Sequence, residues 1–246
     1  MSHHLSEFIR RRLALTSIVV AIGLFSGAAQ DETRLAWEDV GFDLCTTYYW
    51  RGYQVVDHPT LQPTATVTWG EAPVSLNAWG SLTLADHNNH QATDEVDLTL
   101  TTWRNLSWGD RAIDLSAGAT LYNFPSATKG ARRSAEAMVV AELGGTLSPA
   151  LRGYYDFDQW DAGYVSLSFA PEIAIGPNHS LAISPWVGFG DWDQDFGFQD
   201  AGATLGSTFA WQGLAITPAV GAARASRAVN ADRGLVWGTL SLRFAE

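Results

Sequence analysis

The chain has 246 residues and a formal net charge of −11, a balance that argues against nucleic-acid binding, which needs basic surface to neutralise phosphates. Its single cysteine, Cys45, excludes an intrachain disulfide. Charged residues make up 17%, against ~25% in average soluble domains, which points away from an ordinary water-facing surface.

Arg10, Arg11 and Arg12 precede an apolar run from Leu13 to Phe25, and the small residues Ser26, Gly27, Ala28 and Ala29 follow. This is the order of a secretory signal peptide, and the expected organisation is a removed signal peptide at 1–29 and one domain at 30–246. Cys45 lies too far downstream to be a lipid-modified residue. The apolar run is shorter than the ~20 residues of a membrane span, and no later stretch approaches that length, so a helical membrane protein is excluded.

Alternation takes the place of long apolar runs. In Leu61 to Trp69, Leu61, Pro63, Ala65, Val67 and Trp69 form one row, and Gln62, Thr64, Thr66 and Thr68 the other. Successive strand side chains point to opposite faces, so one face is apolar and the other polar. Leu76, Ala78 and Leu82 against Asn77 and Thr83, Leu98 and Leu100 against Asp97 and Thr99, and Leu240 and Leu242 against Ser241 and Arg243 repeat it. Twelve strands are predicted, at 37–50, 60–70, 73–85, 94–106, 111–123, 134–146, 150–158, 161–175, 180–191, 200–211, 214–224 and 234–244. Ala135 to Leu143 also fits a helical period.

The connections alternate in length. RGYQVVDHPT, DHNNHQATD, FPSATKGARRS, WDQDFGFQD and ASRAVNADRG are long and polar, and GEAP, SWGD, LSPA, GPNH and QG are tight. FDQWDA, the seventh connection, is the one of modest length. Short turns on one side, longer loops on the other and an even strand number describe an all-β, antiparallel up-and-down transmembrane barrel with both termini periplasmic. Eleven Trp, many near predicted strand ends (Trp37, Trp50, Trp69, Trp103, Trp108, Trp160, Trp192, Trp211 and Trp237), fit interfacial girdles, as do Tyr49 and Tyr53. A soluble periplasmic sandwich would pack the same rows the other way round. The direction in which Leu76, Val67 and Leu240 face separates the two.

Tyr48 to Pro63, YYWRGYQVVDHPTLQP, followed by TATVTW, resembles the opening of the mature chain in the TorF-like conserved hypothetical family of outer-membrane porins. The resemblance rests on Tyr49, Trp50, Arg51 and Gly52 with Pro59 and Pro63 downstream. It implies an outer-membrane barrel with a porin-like role. The last strand, LVWGTLSLRF, also resembles the signal read by the barrel assembly machinery, with Phe244 as its aromatic and Ala245 and Glu246 after it.

Several residues are candidates for the lumen or a constriction: Arg51, Asp43, Tyr49, Asp97, Asp114, Glu136 and Arg243. A lumenal Arg beside carboxylates either selects by charge or serves as a structural plug paired with Asp97 or Glu136. His87 and His90 with Asp86, Asp94 and Glu95 are a loose metal candidate. Asp191, Asp193 and Asp195 resemble the start of a calcium loop, but Phe196 stands where glycine is needed. No cofactor is expected, and no enzyme: His58, His87, His90 and His179 share no mid-strand face with a serine. The expected partners are the bilayer, lipopolysaccharide and the assembly machinery, at the Gram-negative outer membrane. The expected role is a narrow channel for small solutes, with a plugged barrel bearing functional loops as the alternative.

Overall fold

The computed structural model describes residues 35–70, 72–85, 94–109, 111–127, 132–192, 195–230 and 234–244. The predicted signal peptide, His87, His90 and Asp193 lie outside these. Fifteen strands form among the described residues: β1 (Leu35–Cys45), β2 (Tyr48–Trp50), β3 (Tyr53–Val56), β4 (Thr60–Trp69), β5 (Val74–Thr83), β6 (Glu95–Trp108), β7 (Arg111–Asn123), β8 (Arg133–Leu143), β9 (Ala150–Asp156), β10 (Ala162–Ser168), β11 (Glu172–Gly176), β12 (His179–Gly190), β13 (Gly197–Trp211), β14 (Leu214–Ala225) and β15 (Gly234–Phe244).

The wall is a closed, antiparallel, twelve-stranded barrel. Neighbours follow chain order from β4 to β10, β1 joins β4 to β15, and β10 pairs with β12 to complete the ring. Ala135–Leu143 lies within β8, so strand pairing overrides its helical period. The predicted strand 161–175 is interrupted at Phe169–Pro171. The ladder nonetheless continues, Phe169 N–H donating to the Pro185 carbonyl and Ile183 N–H to that of Pro171. Proline lacks the N–H a ladder needs, which explains the break. The predicted strand 37–50 also divides: its wall portion ends at Cys45, and the remainder belongs to the β2–β3 hairpin.

The apolar rows face outward. Leu76 and Leu240 are each 38% exposed, Leu100 54% and Val139 61%, and Val67 lies beside Leu76 in register. The inward rows are polar and include the buried Gln62, Thr64, Ser81, Glu136 and Asp200. This inverts a soluble sandwich, whose apolar rows would be covered. The aromatics divide likewise. Trp69, Trp211 and Phe244 are exposed at the turn end, and Tyr155, Phe157, Phe189 and Phe198 are exposed at the loop end. Trp50, Trp192 and Trp237, expected in a girdle, instead join the interior ring contacts.

Loop-length parity holds except at the seventh connection, whose five residues between β9 and β10 are fewer than the six between β8 and β9. The turns 69–74, 108–111, 143–150, 176–179 and 211–214 share one rim with Leu35 and Phe244, and the β2–β3 hairpin belongs to the opposite rim.

Candidate functional site

The first connection does not extend into solvent; it folds back into the lumen as the β2–β3 hairpin. Arg51 (φ 46°) and Gly52 (φ 94°) form its two-residue turn, and positive φ at both central residues is the turn geometry that suits a twisted hairpin. The fit around the tip is close: a Cβ on Gly52 would sit 3.0 Å from Val229 Cγ1 and 3.4 Å from Asp200 Cβ. Thr47 Oγ1 donates to the Val56 carbonyl and ties the base of the hairpin together.

Three anchors hold it. Arg51 donates from Nη1 and Nη2 to Glu136 Oε2 and Oε1 at 2.5 and 2.8 Å, a bidentate pair in which both side chains are buried. The guanidinium lies 3.8 Å from the Tyr154 ring centroid and 4.6 Å from that of Trp50, so aromatic faces replace its water. Tyr122 Oη donates to the same carboxylate at 2.9 Å. Gln199 Nε2 donates to the Arg51 carbonyl at 2.8 Å. Tyr49 Oη donates to Asp200 Oδ2 at 2.7 Å. Burial and the nearby Asp200 carboxylate push the Tyr49 phenol above its ordinary range, which keeps it a donor.

Asp200 is fully buried and, among the described residues, is met by neutral donors. Three neutral donors satisfy it: Tyr49, Tyr164 Oη at 2.8 Å and Trp186 Nε1 at 2.7 Å. Gly188 makes room for this cluster, because a Cβ there would lie 2.2 Å from Tyr164 Oη and 2.4 Å from Asp200 Oδ1. Tyr49 also stacks on Trp237 with ring centroids 4.8 Å apart. The loop-end half of the lumen is thus filled by side chains.

The turn-end half differs. Its inward positions carry small polar residues, among them Ser75, Thr101, Ser116, Thr208 and Ser241, all half-exposed inside the wall. Among the described residues, the hairpin fills the lumen towards the loops and small polar side chains line it towards the turns.

The predicted site residues fall into separate groups. Arg51, Tyr49 and Glu136 meet at the seal. Arg51 sits at the hairpin tip, however, and not on the wall strand, because β1 ends at Cys45. Asp97 is buried near Tyr48, with its Oδ1 unpartnered among the described residues. Asp43 and Arg243 form a second bidentate pair near the turn end, at 2.8 and 3.0 Å, and Arg243 Nε also donates to Asp39 at 2.8 Å. Asp114 is exposed and stands in register with Glu142, which accepts from Arg152 at 2.5 Å. No cluster of three metal-ligating side chains occurs among the described residues.

Gln199 and Asp200 escaped the sequence reading because the segment WDQDFGFQD looks like a polar loop. Asp200 is the first residue of the predicted strand 200–211, and the alternation Asp200, Gly202, Thr204 was the available signal that it turns inward, whereas Gln199 lies before that strand and within β13 (Gly197–Trp211).

Outside the seal lies a cavity of about 400 Å³ at the loop rim. Trp50, Trp160 and Trp192 wall it, Tyr122 adds a face, and Glu95 and Asp191 supply carboxylates. Comparison with protein-family models and with curated proteins returns no match.

Proposed function

We propose that this protein is an outer-membrane β-barrel whose lumen is sealed in the resting state by its own β2–β3 hairpin, leaving the loop-end mouth as its interaction surface. The observation that carries this reading is the Arg51–Glu136 and Tyr49–Asp200 anchorage of a hairpin folded inward. The membrane part is supported by the outward belt of Leu, Val and Ile between exposed aromatic ends. Ten residues, the length of β4, at ~3.3 Å rise and ~40° tilt span about 25 Å, the height of the apolar band in such barrels. The export signal read at 1–29 and the likeness of Tyr48–Pro63 to TorF-like porins point the same way. Bilayer lipid, lipopolysaccharide and the assembly machinery are then its partners.

The channel reading draws on the small polar residues of the turn-end lumen, since twelve strands lie between eight-stranded barrels filled by side chains and sixteen-stranded porins. Planar-bilayer conductance separates the two. Wild-type protein is expected to stay closed, while replacement of residues 48–56 by a short Gly-Ser bridge opens steady conductance. Wild-type conductance equal to that of the deletion variant would overturn the seal and favour a constitutive channel.

A further inference from the structure

We infer that the cavity at the loop-end mouth binds an organic cation, an ammonium head on a compact apolar body. The inference rests on the sealed reading, because Trp50 belongs to the hairpin. At about 400 Å³ the cavity falls within the range of small-molecule sites.

Its walls are aromatic and mutually inclined. Trp50 meets Trp192 at 90° with centroids 5.2 Å apart, Trp160 meets Trp192 at 44° and 5.2 Å, and Trp50 meets Tyr122 at 74° and 6.4 Å. The rings pack edge to face and Arg51 lies over one face of Trp50, so the cavity is bordered by several non-parallel aromatic rings, which suits a rounded cation better than a flat sugar that stacks on a single platform. The charge agrees. Glu95, 4% exposed, and Asp191, exposed at the rim, line the cavity, and no Lys or Arg does so among the described residues. Arg51 is committed to Glu136. An anion would therefore meet the exposed Asp191 carboxylate without a counter-charge, whereas an ammonium gains contact with the aromatic walls and with that acid.

The seal is distinct from the cage in chemistry. Around Asp200 the aromatics donate hydrogen bonds through Oη and Nε1. The Trp192 indole N–H is buried without a partner among the described residues, so it is the ring of Trp192 that borders the cavity.

The test is titration of the detergent-solubilised, folded protein with benzyltrimethylammonium, read by tryptophan fluorescence and calorimetry. Benzyl alcohol, benzenesulfonate and maltose serve as neutral, anionic and sugar comparators. The expected result is saturable binding of the cation at least tenfold tighter than any comparator, weakened at least tenfold in Trp160→Leu and severalfold in Asp191→Asn. Both positions are exposed, so neither change threatens the fold. Equal binding of a comparator, or no saturable binding to a barrel shown closed by conductance, overturns the cage and leaves the seal standing. Absence of binding together with steady wild-type conductance overturns the seated hairpin itself.

Discussion

Arg51 and Glu136 show how one ion pair can hold a segment in place inside a barrel. Both are buried, and the bidentate geometry with the Tyr122 donor and the Tyr154 face compensates for lost hydration. Removing one partner leaves the other buried and unpaired, which costs about 3–5 kcal/mol, whereas removing both together costs less. Arg51→Met and Glu136→Leu are each expected to lower the urea midpoint in detergent, and the double variant should recover part of that loss. Strict additivity would mean that the two side chains do not interact. The pairing was within reach of the sequence, since a lumenal Arg needs a carboxylate and Glu136 lies on a polar row. The Asp200 cluster was not: three neutral donors around one acid leave no charge pattern to read, and they come from residues 49, 164 and 186 on different strands.

At the level of elements, alternation carried the reading because the two faces of each strand meet different surroundings. Leu98 and Leu100 face out and Thr99 faces in, as the two-residue period requires. The breaks were harder. Pro171 divides β10 from β11, and the departure of the chain from the wall after Cys45 depends on what Tyr48 to Val56 can reach inside, which no local pattern states. The outward row gives a direct check. In a bilayer, Leu100→Arg should destabilise the barrel by about 2–4 kcal/mol, the cost of a lipid-facing Arg near the midplane, while Thr101→Arg on the lumenal row should be tolerated. Urea titration after folding into liposomes measures both. Equal stability of Leu100→Arg and wild type would count against a lipid-facing belt.

For the molecule as a whole, strand number, most of the loop-length alternation and the shared rim of Leu35 and Phe244 could be read in the sequence. The direction of the rows could not, because alternation looks the same whether the apolar side meets lipid or a core. Closure is uneven. The β1–β15 seam pairs only six residues, Val40–Cys45 with Thr239–Phe244, whereas β14 and β15 pair along eleven. The ring should open first at this seam. In a Cys45→Ser background, a Phe42→Cys/Leu242→Cys disulfide is therefore expected to raise the thermal midpoint more than an Ala222→Cys/Val236→Cys disulfide in the longer ladder. The opposite order would place the weakest join elsewhere.

The anchors of the hairpin also set an order in time. Arg51 binds a residue 85 positions downstream, on β8, and Tyr49 one 151 positions downstream, on β13. Contacts so distant in sequence form only after long loops have closed. The hairpin cannot lock while the sheet is still a ribbon, because β8 and β13 stand on either side of it only once the ring exists. Seating of the hairpin is therefore expected as the last event of assembly, completed only with the wall itself.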